Sequence, residues 1–322
     1  MRVAAVGCGR MGRGIAQVMA CAGHRVELLD LRARPDEEAA ALARQALAEI
    51  RAGLEVLAEA GALEPGGIDP ILARVRFAGQ RDAERRLAGV EVVFEGVPEV
   101  LEIKRAVLAR IERAVGAEAI IASTTSSFSP ERLAAGLEHP ERFLNAHWLN
   151  PAFLIPLVEI SAARRTARET RERLRALLEE AGKVVVECAP APGYIVPRLQ
   201  ILAMNEAARI VEAGVASAAD VDRATRYGFG LRYALMGLTE FIDFGGADIL
   251  HHASRQMSEA TGEERYRAPP IIEQMMARGE RGLREGKGFH DYAGVDVAAY
   301  RRETLRRFAA LLDHLGLLPR PR

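Results

Sequence analysis

Lysine is nearly missing from this chain: Lys104, Lys183 and Lys287 are the only three, and arginine supplies the rest of the positive charge. Lysine and arginine together number 44 against 44 aspartates and glutamates, so no net field draws the molecule to nucleic acid or to an anionic membrane surface, and neither is expected as a partner. Cysteine is equally scarce. Cys8, Cys21 and Cys188 form neither a CxxC pair nor an even set, which argues against a disulfide framework and against a thiolate metal site. Reduced, buried thiols and no metal are expected. No run approaches the roughly 18 uninterrupted apolar residues of a membrane span. Residue 2 leads straight into the apolar residues 3–6 without the layout of a signal peptide, so a cytoplasmic location is expected. A length of 322 residues suits one large or two ordinary domains with a substantial core.

What is present begins at once. The β-branched run 3–6 ends in Gly7-Cys8-Gly9-Arg10-Met11-Gly12 and gives way to apolar residues at helical spacing, Ile15, Val18, Met19 and Ala22. Gly23 supplies a stop, and residues 26–30 read as the next buried strand. Residues 35–60 favour one long helix or a helical pair, ended by Pro65-Gly66-Gly67. Further strands are expected at 75–78, 90–97, 119–123, 157–161 and 183–187, with a weaker one at 143–148 and helices at 99–115 and 168–181. Alternating strand and helix argues for a largely parallel sheet covered on both faces. After the Pro/Gly cluster at 189–193 strand signals cease. Helical periodicity occupies 196–214 and 218–227, apolar residues recur at 235–250, and 296–318 reads as a charged amphipathic helix followed by a Pro/Arg tail. The expected division is therefore 1–189, a dinucleotide-binding α/β domain, and 190–322, an all-α domain.

The glycine turn gains meaning from its context. Gly7 permits the tight turn, Gly9 leaves no Cβ in the path of a pyrophosphate, and Gly12 lets helix and strand pack closely, while the helix N-terminus offers unpaired N–H groups. Arg10 and Met11 lie in the same turn. Asp30, 18 residues beyond Gly12 at the end of the second strand, can accept hydrogen bonds from a ribose diol and would repel a 2′-phosphate. NAD is the expected cofactor, with Arg32 close enough to tolerate NADP.

Two residues suggest the chemistry. His147 sits in Asn145-Ala146-His147-Trp148-Leu149-Asn150-Pro151, and twelve residues later Glu159 ends the apolar run 155–158. A carboxylate in such a run is costly without a partner, and an imidazole is a natural one. Oxidising a secondary alcohol by hydride transfer needs a base for the hydroxyl proton, and a histidine oriented by a carboxylate suits that task near neutral pH. A packed, hydrogen-bonded histidine is the plainer alternative. The cluster Ser123-Thr124-Thr125-Ser126-Ser127 follows a strand at the sheet end where such folds bind ligands; Ser127 and Ser129 read as caps before Pro130.

At these residues the chain resembles the 3-hydroxyacyl-CoA dehydrogenase family, over nearly its full length. The likeness is carried by residues 6–16, by Glu95-Gly96-Val97-Pro98-Glu99 with Lys104, by 123–128, 147–151 and 157–159, by Pro192-Gly193-Tyr194-Ile195 and by Gly286-Lys287-Gly288-Phe289. The resemblance implies an NAD-binding Rossmann domain, an all-helical C-terminal domain that forms a homodimer, a role in fatty acid metabolism, and a His-Glu dyad acting on a small-molecule 3-hydroxyl substrate. Position by position, it makes His147 the general base and Glu159 its orienting partner. Ser126 would bond the substrate oxygen, and Asn150 would hold substrate or nicotinamide. Glu99 and Lys104 would lie beside the cofactor, where a helix-start charge and a solvated helix residue are their plainer roles. Arg284 falls where the family often has a cofactor-contacting lysine, and a solvated turn residue is the alternative.

Two departures bear on the substrate. Pro197 stands where the acyl-CoA enzymes usually carry an asparagine, and it has no side-chain donor. Residues 231–238 resemble the branch containing L-gulonate 3-dehydrogenase (lambda-crystallin) and carnitine dehydrogenase. There Arg232 would pair a free carboxylate or make an ordinary ion pair. The expected activity is oxidation of a 3-hydroxyacyl-CoA; the alternatives are a free 3-hydroxy acid of the gulonate or carnitine type, and a structural protein that binds NAD without chemistry.

Overall fold

Each expected apolar run becomes a strand of one eight-stranded sheet. The strands are β1 (Arg2–Val6), β2 (Arg25–Leu29), β3 (Val75–Ala78), β4 (Val92–Glu95), β5 (Ile120–Ser123), β6 (Phe143–Trp148), β7 (Leu157–Ala162) and β8 (Val184–Glu187). The computed structural model describes residues 1–320, so the last two residues of the Pro/Arg tail lie outside it. The strand order is β3-β2-β1-β4-β5-β6-β7-β8. All neighbours run parallel except β6 and β7. The chain winds outward from β1 to β3 and then returns to the other side of β1 with β4, which opens a crevice at the carboxyl ends of β1 and β4.

Burial on both faces explains why these strands read as unbroken apolar runs. Val3, Ala5, Leu28, Phe94, Ala122 and Leu144 point to one face, where they meet Ile15 and Met19 of the helix Arg10–Cys21, Ile50 and Leu54 of Asp36–Glu59, and Leu174 and Leu178 of Arg168–Glu180. Their neighbours Ala4, Val6, Leu29, Val93 and Ile121 point to the other, against Ala83 and Leu87 of Gln80–Leu87, Leu108 and Ile111 of Leu101–Ala114, and Leu133 of Pro130–Ala134. The run 143–148, the weakest strand signal, is buried along its whole length. Asn145 and His147 break its apolar pattern, and each finds a hydrogen-bond partner, Asn145 in Tyr194 and the Phe128 carbonyl and His147 in Glu159.

Among the helices that escape the sequence reading are Gln80–Leu87, Ile68–Leu72, Pro130–Ala134 and Pro270–Arg278. In the first, only Ala83 and Leu87 reach the core and the remaining residues are charged or polar, which hides its period. The stretch 35–60 is a single helix, Asp36–Glu59.

The chain separates into two compact units, Met1–Ala203, which holds the whole sheet, and a second from Met204. Among its described residues the second unit is built from helices, with no strand. Gly246, at φ 111°, splits the apolar stretch 235–250 between the helices Leu238–Gly245 and Ala247–Thr261. At its centre Asp243 is 1% exposed. Its carboxylate accepts the N–H groups of Phe289 (2.9 Å) and His290 (2.8 Å) and the Tyr292 hydroxyl (3.3 Å). A Cβ on Gly288 would lie 2.1 Å from Asp243 Oδ1, so the motif Gly286-Lys287-Gly288-Phe289 wraps a buried acid.

Candidate active site

The turn after β1 is shaped by contact. Gly7 has φ 107° and donates its N–H to the Leu29 carbonyl at 2.8 Å, tying the end of β1 to β2. A Cβ on Gly12 would fall 1.8 Å from the Gly7 carbonyl oxygen. Any side chain there would push the helix Arg10–Cys21 off the turn. Gly9 caps that helix without a side-chain hydrogen bond, and the space where its Cβ would stand is open. No side chain therefore stands at Gly9 in front of the helix N-terminus, as a pyrophosphate requires. A crevice of about 810 Å³ lined by Gly7, Gly9, Asp30, Gly96, Val97 and Pro98 continues from this point, large enough for part of a dinucleotide. The exposed Arg10 and the half-buried Met11 stand on the first turn of the helix but not in the lining of this crevice.

Asp30 sits at the crevice wall, where its carboxylate accepts Nε of Arg34 at 2.5 Å and the backbone N–H of Arg32 at 3.2 Å. Arg32, expected near this acid, lines the same crevice, while the side chain that pairs with Asp30 is that of Arg34, which the sequence reading did not name.

His147 and Glu159 are directly opposite each other in the antiparallel pair β6 and β7, so their side chains leave the sheet on one face. Nδ1 of His147 lies 2.8 Å from Glu159 Oε2. The other oxygen, Oε1, accepts the N–H groups of Ile195 and Val196, each at 2.9 Å. Both side chains are buried. When Nδ1 donates to the carboxylate, Nε2 is the ring nitrogen left to accept a proton.

Burial by itself would raise the Glu159 pKa. The hydrogen bonds from His147 and from the N–H groups of Val196 and Ile195 outweigh it and hold the acid below its ordinary value of 4.5. Because the folded pKa is depressed, the unfolded chain takes up a proton first as pH falls, so the stability that Glu159 contributes is complete above its ordinary value and is lost as pH drops through the folded one. Urea midpoints measured from pH 6 down to pH 3 should therefore fall more steeply for the wild type than for Glu159→Gln. Parallel slopes would contradict this account.

A second buried group lies at the ends of β4 and β5. Lys104 is 1% exposed, not the solvated helix residue that its sequence setting allows. Its ammonium contacts Glu95 Oε1 at 3.0 Å, the Val97 carbonyl at 3.2 Å and Glu99 Oε2 at 3.3 Å. The Ser123 hydroxyl donates to the other oxygen of Glu95 at 2.6 Å. Glu99 Oε1 in turn accepts the Thr125 hydroxyl, the N–H groups of Ser126 (3.1 Å) and Ser127 (3.0 Å), and the Ser127 hydroxyl (2.7 Å). Glu99 therefore folds the serine turn around its carboxylate, and Lys104 anchors Glu99. Neither lines the crevice. Glu95 was missed as a functional residue because its lysine partner is nine residues away on the following helix.

Ser126 is exposed, and its hydroxyl has no hydrogen bond among the described residues. Ser129, by contrast, caps the helix Pro130–Ala134 by accepting the Arg132 N–H at 3.4 Å. Asn150, two residues past β6, is exposed in a small pocket of about 130 Å³ that Arg10 also lines. Pro197 is the second residue of the helix Val196–Glu212, a position where a missing N–H costs no helical hydrogen bond. In the second unit Arg284 is exposed and pairs with Glu285 (2.7 Å) and Asp248 (3.5 Å). Arg232 rests its guanidinium 5.7 Å from the centre of the Phe241 ring.

Comparison with known proteins follows the same outline. The NAD binding domain of 3-hydroxyacyl-CoA dehydrogenase matches residues 2–191, and the C-terminal domain of that family matches residues 193–292. A 5-formyl-3-hydroxy-2-methylpyridine 4-carboxylate 5-dehydrogenase from Mesorhizobium japonicum is 30% identical over 310 residues, 96% of each chain. A 3-hydroxybutyryl-CoA dehydrogenase from Mycobacterium tuberculosis is 33% identical over 296 residues, 90% of this chain and 98% of that one. The crystal structure of a 3-hydroxyacyl-CoA dehydrogenase from Archaeoglobus fulgidus superposes with a TM-score of 0.76 at 32% identity, covering 98% of this chain and 99% of the other. From its glycine turn to its helical second half, the chain belongs to the 3-hydroxyacyl-CoA dehydrogenase family of NAD-dependent oxidoreductases.

Proposed function

We propose that the protein oxidises a 3-hydroxyacyl-CoA to the 3-ketoacyl-CoA, with a place in fatty acid metabolism, and that His147 is its general base. The buried His147–Glu159 pair at 2.8 Å carries this reading. Nε2 of His147 takes the hydroxyl proton, and Glu159 stabilises the imidazolium that results. NAD, when bound, supplies the hydride acceptor. Ser126, whose turn Glu99 and Lys104 hold in shape, and Asn150 fix the reacting oxygen. Gly7, Gly9 and Gly12 with Arg10 and Met11 shape the pyrophosphate site, and Asp30 meets the ribose. A cofactor role for Arg284 rests on the family resemblance alone.

A second reading, a free hydroxy acid as substrate, is favoured by Pro197 and by a relative whose name specifies a pyridine carboxylate. Initial rates of NAD reduction with 3-hydroxybutyryl-CoA, 3-hydroxybutyrate, gulonate and carnitine separate the two. The thioester should exceed the free acids by about tenfold or more in kcat/KM, the size of one well-used binding contact. A free acid in first place would replace the acyl-CoA reading.

We also propose a homodimer in the cytoplasm. Ile201, Leu202, Met204 and Val211 on the helix Val196–Glu212, and Val215 just beyond it, are exposed apolar side chains that a second copy would cover. Light scattering is expected to give twice the chain mass of 35.0 kDa, and a monomer at micromolar concentration would end the proposal. Three free cysteines suit a reducing compartment.

A further inference from the structure

Tyr194 is unusual in two ways. Among the described residues it alone, apart from glycines, has a positive φ, 44°, a conformation that a large side chain adopts only when its surroundings hold it there. Its ring is also almost fully buried.

The contacts explain both. The phenol ring lies parallel to the His147 imidazole, with centroids 5.0 Å apart and planes inclined by 6°. Its hydroxyl donates to the Thr125 carbonyl at 2.9 Å and accepts Nδ2–H of Asn145 at 2.9 Å. Asn145 precedes His147 by two residues on β6 and so shares its face, while Thr125 immediately precedes Ser126. Directly after the left-handed residue, the N–H groups of Ile195 and Val196 turn onto Glu159. One backbone bend thus delivers a plate against the face of the imidazole and two donors to the carboxylate at its edge.

We infer that Tyr194 is a positioning residue, whose ring sets the plane of the His147 imidazole and whose hydroxyl ties that ring to the turn bearing Ser126. The inference rests on His147 being the base. Burial pushes the Tyr194 pKa up, so the group stays a neutral phenol and is not itself a rival proton acceptor. Aromatic stacking restricts the ring without neutralising it, leaving Nε2 free to take the proton.

The first test needs no substrate. In the full-length protein the Nδ1 proton of His147, held by Glu159, should give a far-downfield proton NMR signal, identified by its loss in His147→Gln. Tyr194→Leu should make that proton exchange with water at least about tenfold faster, because the face of the ring opens. A signal unchanged in position and width overturns the inference. The second test is kinetic, with acetoacetyl-CoA and NADH. Tyr194→Phe keeps the stack but loses both hydroxyl bonds and should lower kcat by about tenfold, and Tyr194→Leu by about a hundredfold, with KM within about twofold. Wild-type kcat in both variants, or a change confined to KM, overturns it. If Tyr194→Leu fails to fold, Tyr194→Phe decides the question. An inactive His147→Gln beside fully active Tyr194 variants removes only the positioning role, whereas a fully active His147→Gln removes the base assignment and this inference with it.

Discussion

Replacing His147 with glutamine lowers turnover by about 10²–10⁴-fold while NAD binding stays as it was. Glutamine fills similar space and can still donate an N–H to Glu159 Oε2, which now receives Nδ1 at 2.8 Å. The carboxylate also keeps its two backbone donors, Ile195 and Val196, so the site does not acquire an unpaired buried charge. What the amide lacks is a ring nitrogen with a lone pair to accept the hydroxyl proton. The glycine turn is formed by β1 and the helix after it, not by His147, so fluorescence titration with NADH should give an unchanged dissociation constant. Turnover within about fivefold of wild type at saturating NAD would remove His147 from the chemistry.

Lys104→Met should cost about 3–5 kcal/mol of folding stability, the usual penalty for removing one partner of a buried pair. The wild-type ammonium reaches Glu95, Glu99 and the Val97 carbonyl from a site sealed from water. Methionine leaves Glu95, which is 0% exposed, with only the Ser123 hydroxyl and the Val97 N–H, at 2.6 Å and 2.8 Å. In a thermal melt the variant should unfold on the order of 10 °C below the wild type. Replacing both partners, Glu95→Leu with Lys104→Met, should recover a large part of that loss, since a desolvated pair is often matched by apolar packing. A single variant that melts within about 2 °C of wild type would mean that water already reaches the pair.

The contrast between these two variants marks what could be read in advance. The placing of Gly7, Gly9, Gly12 and Asp30 at one crevice was legible because it depends on local geometry, a turn and the end of the next strand. His147 and Glu159 were legible because a polar residue inside an apolar strand demands a partner, and each supplies the other's. Lys104 was singled out by the family resemblance alone and its burial was not legible, since an Arg/Lys/Glu-rich helix offers no sign of which cation turns inward; only the proximity of β4 selects it. Nor was the pairing of Arg34 with Asp30 legible, set by the path of the chain after β2, or that of Asp243, whose partners are 46 to 49 residues away. Tyr194 was read as part of a motif without a task, because nothing in a sequence announces a left-handed tyrosine. The break at Gly246 was hidden by apolar residues on both sides of it.

The reversal of direction at β7 has a consequence for how such a catalyst diversifies. His147 and Glu159 occupy facing rungs of one hairpin, so their alignment comes from the ladder and not from the chain that joins them. Outside Asn150, the connection 149–156 can accordingly change in sequence while the ladder keeps the two side chains in register.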